Sequence, residues 1–119
     1  MWCMNYEVIE EHRSNYPNPI TIRKDTKLKL GNKYSGTENW DNWRYCYTLD
    51  NGAEGWVPEQ LLIVENEYGV ILEDYTAKEL NVEKGEIVKG MGELNGWLWC
   101  IKIIDEDEGW LPKDKLRII

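Results

Sequence analysis

Phenylalanine is absent from this 119-residue chain, and histidine occurs once, as His12. No second His or Cys stands at metal-ligand spacing from it, so neither a metal centre nor a Cys–His catalytic pair is expected. No Gly-rich segment could cradle a phosphate, and no cofactor is expected. The carboxylates are scattered over turns, none paired for acid–base work, so the chain reads as a non-enzyme. Cysteine occurs three times, an odd number without paired spacing. That argues against a disulfide framework and for a reducing compartment. No apolar run approaches the roughly 20 residues needed to span a bilayer. Met1–Tyr6 is too short and too polar downstream to act as a signal peptide, so a soluble cytoplasmic protein without a membrane partner is expected. Basic charge is also in deficit: the formal net charge is −8 and the pI about 4.7, which repels nucleic acid at long range. Residues 1–64 carry seven basic and nine acidic groups, and residues 65–119 seven and thirteen.

What the chain has is aromatic rings and an internal echo. Seven Trp and seven Tyr supply large apolar area per residue. Gly109-Trp110-Leu111-Pro112 repeats Gly55-Trp56-Val57-Pro58, and Gly96-Trp97-Leu98-Trp99-Cys100 repeats Asn42-Trp43-Arg44-Tyr45-Cys46 at the same offset. Identical internal spacing indicates two copies of one small unit. The expected domains are residues 1–64 and 65–119, each near the lower size limit for an independent core. Glu65-Asn66-Glu67 joins them without a flexible linker. Cys46 and Cys100, at one place in the two copies, read as small core residues. Arg23, Lys24, Lys27, Lys29 and Lys33 form a basic run, read as the solvated face of a hairpin.

Short alternating segments predict strands at Tyr6–Ile9, Ile20–Ile22, Lys27–Leu30, Trp43–Leu49, Gly55–Val57 and Leu62–Val64. The second half repeats the pattern at Val70–Leu72, Leu80–Val82, Ile87–Val88, Trp97–Ile104, Gly109–Leu111 and Leu116–Ile119. Residues 13–19, 31–42 and 91–95 read as loops, and Asp50-Asn51-Gly52 as a hairpin turn. A single helical turn fits Pro58–Leu61, with Pro pre-set at its start. No segment has a sustained helical period. The fold class is all-β, a pair of small five-stranded barrels or sandwiches.

Leu72-Glu73-Asp74-Tyr75, Glu79–Ile87, Gly96-Trp97-Leu98-Trp99 and Gly109-Trp110-Leu111-Pro112 follow the order and spacing of a Src-homology-3 (SH3) domain. The second copy resembles that family closely, and the first resembles it as a variant with longer loops. The whole chain resembles a tandem SH3 protein of bacterial type. The resemblance implies two five-stranded barrels, each with a one-turn helix before its last strand. It also implies a module that binds a protein or peptide, commonly proline-rich segments in a polyproline II conformation.

Carried over by position, the implied groove residues are Trp43 and Pro58 with Glu10, Glu11 and His12 in copy one. In copy two they are Trp97 and Pro112 with Glu73, Asp74 and Tyr75. Glu10 and Glu73 replace the first Tyr of the family's opening motif, and Leu61 and Lys115 replace the Tyr after the groove Pro. A groove altered away from proline ladders is therefore expected. Strand parity points Tyr45, Tyr47, Trp99 and Ile101 outward, an interdomain or partner-binding face, and Trp40 on the longer loop could cover or extend a groove. The alternatives are an acidic inhibitor or immunity-type protein capping a basic partner, or a structural association subunit. The expected state is a monomer or weak homodimer.

Overall fold

Trp43-Arg44-Tyr45-Cys46-Tyr47-Thr48 and Trp97-Leu98-Trp99-Cys100-Ile101-Lys102 place aromatic or β-branched residues at every second position, and each lies in its own five-stranded sheet. The computed structural model describes residues 4–14, 18–34, 42–50 and 52–119. Its strands are β1 (Met4–Val8), β2 (Thr21–Ile22), β3 (Lys27–Lys33), β4 (Trp43–Thr48), β5 (Glu54–Pro58), β6 (Leu62–Glu65), β7 (Tyr68–Ile71), β8 (Tyr75–Thr76), β9 (Ile87–Leu94), β10 (Trp97–Lys102), β11 (Glu108–Pro112) and β12 (Leu116–Ile118). Short 3₁₀ turns at Glu59–Leu61 and Lys113–Lys115 follow Pro58 and Pro112, where the single helical turn is expected from Pro58. The molecule is all-β, as the sequence pattern requires. No helix among the described residues is long and apolar enough to cross a membrane.

The sheet orders are β11-β10-β9-β1-β12 and β5-β4-β3-β7-β6, all antiparallel, and β2 pairs with β8 in a short ribbon. They divide the chain differently from the boundary expected at residues 64 and 65. One compact unit is continuous, Asn18–Ala77; the other is split, Met1–Pro17 with Lys78–Ile119. The cause is the connection after β6. Asn66, at φ 58, turns the chain so tightly that β7 folds back on β6, with Val64 opposite Gly69 and Glu65 opposite Tyr68. The strand that opens the second half therefore completes the sheet of the first half.

Reciprocally, β1 lies between β9 and β12, with Tyr6 opposite Val88 on one side and Ile118 on the other. Hydrogen bonds from Val8 N to Glu86 O (2.9 Å), Gly85 N to Val8 O (2.8 Å) and Ile9 N to Lys115 O (2.9 Å) carry this pairing past the strand end.

The core of the split unit gathers Tyr6 and Val8 from β1 with Leu80, Val82, Val88, Leu98, Cys100 and Leu111. In the continuous unit Ile20, Leu28, Cys46, Val57 and Ile71 are fully buried. Both expected core cysteines are buried free thiols, and burial pushes each up to about 12. Arg23, Lys24, Lys27, Lys29 and Lys33 are all exposed, as a solvated hairpin face should be.

Two segments expected as loop are strand. Gly31–Lys33 continues β3, where Arg44 Nε donates to Gly31 O at 2.7 Å. Met91–Leu94 continues β9, because Asn95 and Gly96 adopt positive φ (51° and 84°) and close a two-residue hairpin onto Trp97. Conversely, the strand expected at Leu80–Val82 is reduced to two isolated bridges, His12 with Val82 and Glu79 with Trp110. Gly52 lies at φ 72 in the expected β4–β5 turn; Asn51 lies outside the described residues.

Candidate functional site

Pro112 ends β11 directly opposite Trp97 at the start of β10, and Pro58 stands opposite Trp43 in the same register. Each expected Trp–Pro pair is thus assembled by one β-hairpin. The third member comes from the other half of the sequence. His12 lies beside Trp97, edge to face with ring centroids 5.8 Å apart, rather than beside Trp43. Tyr75 belongs to the continuous unit with Trp43 and Pro58, and its hydroxyl donates to Trp56 O at 3.2 Å. The expected groupings of His12 with Trp43 and of Tyr75 with Trp97 are corrected in this way, because β1 and β7 are exchanged between the sheets.

His12 is buried and fully engaged. The Lys115 ammonium, which can only donate, reaches Nδ1 at 3.2 Å; the ring hydrogen therefore sits on Nε2, which donates to Glu79 Oε1 at 2.6 Å. Lys115 also donates to Glu11 O at 3.3 Å. Lys115, which stands in place of the family's Tyr after the groove Pro, thus supports His12 directly, and the two form one hydrogen-bonded polar group with Glu79. Above it, Trp97 is 9% exposed and Pro112 half-buried. Glu10 and Glu11 are exposed on the adjoining turn, where Arg13 pairs with Glu11 at 3.8 Å and donates to Val82 O at 3.0 Å.

The continuous unit offers a more closed counterpart. Pro58 is fully buried, Trp43 and Tyr75 are 9% and 7% exposed, and the Trp43 indole N–H is buried without a partner among the described residues. Glu73 and Asp74 are exposed, with Asp74 Oδ1 accepting from Lys24 N at 2.8 Å. Trp40 lies outside the described residues.

Of the other four expected residues, Tyr45, Trp99 and Ile101 are half-buried and Tyr47 is exposed, whereas Leu98 and Cys100, which alternate with Trp99 and Ile101 in β10, are fully buried. Sequence reasoning missed their partners. Trp110 packs edge-on to Trp99 at 5.2 Å, and Trp99 Nε1 donates to Glu108 Oε1 at 3.0 Å. Trp56 does the same for Tyr45 at 5.0 Å and for Tyr34 at 5.5 Å. The signal was available, since a hairpin register that sets Trp97 opposite Pro112 also sets Trp99 opposite Trp110. Each unit thus displays a small aromatic cluster on the outer side of its β4–β5 or β10–β11 hairpin. Among the described residues no three His, Cys, Asp or Glu side chains are grouped to hold a metal ion.

Comparison with known proteins adds one family. Residues 6–65 match the variant SH3 domain. No curated protein and no solved structure matches the chain. In space the match is divided: its first strand, from Tyr6, lies in the split unit, and the part from Asn18 onward lies in the continuous unit. A match over half the chain, whose fold has two five-stranded antiparallel sheets with a 3₁₀ turn leading into one edge strand of each, places this protein in the variant SH3 domain family, whose members are protein-interaction modules.

Proposed function

We propose that the protein binds a peptide or protein segment without catalysing a reaction, and that the groove of the split unit is the binding site. The reading rests on one observation: His12, tied to Glu79 and Lys115, stands beside Trp97 and its opposing Pro112. A proline ladder needs stacked ring walls, and here two of them are replaced by a hydrogen-bonded imidazole and an ammonium. The groove therefore favours an extended segment anchored on the Trp97–Pro112 rim. Exposed Glu10 and Glu11 beside it favour basic side chains in that segment. The half-buried Pro112, against the fully buried Pro58, favours this groove over that of the continuous unit.

We also read residues 65–119 as a second copy of the domain matched at 6–65. The reading is supported by the shared registers of Trp43 with Pro58 and Trp97 with Pro112.

The test is a heteronuclear NMR titration of the full chain with two synthetic peptides of equal charge, one a proline-rich ladder with a terminal Arg, the other basic and proline-free. The expected result is shift changes at the Trp97 indole, His12 and Lys115 with the proline-free peptide, weakened by salt and by replacing Glu10 and Glu11 with Gln. Perturbation only at Trp43 and Tyr75, or only with the proline ladder, would overturn the assignment. Steep salt dependence without any change at Trp97 would instead support acidic capping of a basic partner.

A further inference from the structure

Strands β1 and β7 occupy equivalent places in the two sheets. Glu7 lies opposite Ile87, the first residue of β9, and Val70 lies opposite Lys27, the first residue of β3. In this register Tyr6 is the counterpart of Gly69, and Gly90 the counterpart of Leu30. The fit at these positions is reciprocal. A Cβ on Gly90 would fall 2.6 Å from Tyr6 Cε1, so the buried Tyr6 ring fills the space that the glycine leaves. In the continuous unit the sizes reverse, and a Cβ on Gly69 would fall 3.1 Å from Leu30 Cδ2.

The next position repeats the logic with charge. Glu7 lies opposite Arg117 and pairs with it, whereas Val70 lies opposite Ile63. A third position extends it. His12 bridges to Val82 and Tyr75 pairs with Ile22, which makes Pro19 the counterpart of Glu79. Leu61 is the counterpart of Lys115 at the end of the 3₁₀ turn. His12 therefore finds its two polar partners only in the split unit.

Were each opening strand to stay with its own half, every one of these matches would fail. Tyr6 would meet Leu30 and overfill the site, while Gly69 against Gly90 would leave a void. Glu7 would face Ile63, Arg117 would face Val70, and His12 would be buried against Pro19 and Leu61 without a partner. We propose that the cleft between β9 and β12 is a strand-accepting surface whose side chains are matched to the segment Met4–His12. The cleft between β3 and β6 is matched in the same way to Tyr68–Tyr75. The exchange of strands between the two halves is then a recognition event between complementary surfaces, in addition to the turn at Asn66. It does not depend on the peptide-binding reading.

The test uses the full chain in a Cys3→Ser background. Asn5 lies opposite Lys89, whose counterpart in the continuous unit is Lys29, opposite Tyr68. Mild oxidation is expected to cross-link N5C/K89C and to leave N5C/K29C reduced; the opposite pattern overturns the proposal. Gly90→Leu and Tyr6→Gly should each lower the urea midpoint, one by collision and the other by a void. The double variant Y6G/G90L copies the Gly69–Leu30 pair and should have a higher midpoint than either single variant. If Gly90→Leu alone fails to fold, folding of the double variant supports the proposal. A double variant that is unfolded, or no more stable than the singles, overturns it.

Discussion

His12 Nε2 and Glu79 Oε1 lie 2.6 Å apart across 67 residues of sequence, in a site where Glu79 is 11% and His12 9% exposed at the side chain. Removing the imidazole leaves a nearly buried carboxylate without its donor, a loss of roughly 1–3 kcal/mol. His12→Ala and Glu79→Ala should each lower the urea midpoint, and the double variant should cost clearly less than their sum. Strict additivity would mean that the two groups do not act as a pair.

Trp97, the proposed groove rim, is also a core residue, at 9% exposure. Trp97→Ala should therefore cost about 3–5 kcal/mol of stability, as other large aromatic truncations do. Calorimetry would show a lowered Tm before any binding is measured; an unchanged Tm would show that the ring lies free in solution. Lys115→Met, which keeps the stem and deletes the ammonium, is the cleaner probe of binding.

Gly109 begins the Gly-Trp-Leu-Pro motif because another backbone runs against it. A Cβ there would meet Leu80 N at 2.9 Å, Glu79 C at 3.0 Å and Lys78 O at 3.1 Å. Main-chain atoms held by Trp110 N to Lys78 O (2.9 Å) and Leu80 N to Trp110 O (3.2 Å) cannot move aside. Gly109→Ala is expected to cost on the order of 1–3 kcal/mol in urea unfolding. At Gly92 no atom of the described residues beyond its chain neighbours lies within 4 Å of an added Cβ, and Gly92→Ala should be neutral or slightly stabilising.

The thiols of Cys46 and Cys100 are pushed up to about 12 by burial, against 9.0 when free in an unfolded chain. A pKa raised in the folded state contributes stability that is fully present below pH 9. That contribution is lost as pH rises from about 9 to about 12, because the unfolded chain releases these protons first. Replacing both by Ala should flatten the alkaline limb of the stability curve relative to the parent chain. At pH 8, both thiols should resist a disulfide reagent until the chain unfolds; rapid native-state labelling would contradict their burial.

Much of the fold was legible along the chain. Alternation at Trp43–Thr48 and Trp97–Lys102 identified strands and their buried parity, because side-chain direction in a strand has a strict period of two. Pro58 and Pro112 marked the 3₁₀ turns through their fixed φ. The extension of β9 to Leu94 was hidden because Gly92 and its neighbours read as loop, although Gly92 pairs with Trp99 and Gly90 before it is paired with both Met4 and Cys100. In the candidate site, Trp97 and Pro112 could be named from the motif, since one hairpin holds both. That His12 would join them, and that Glu79 and Lys115 would hold it, could not be read from spacing.

By itself the sequence determined the strands, their turns, the small residues under each Gly-Trp motif and the aromatic character of both hairpins. All of these depend on neighbours a few residues away. Only the tertiary structure decided which opening strand completes which sheet. Either opening strand could make the same antiparallel ladder in either sheet, so strand alternation alone is silent on the choice. The turn at Asn66 folds β7 onto β6, and the long-range contacts that go with this placement set Tyr6 over Gly90, Glu7 against Arg117 and His12 between Glu79 and Lys115.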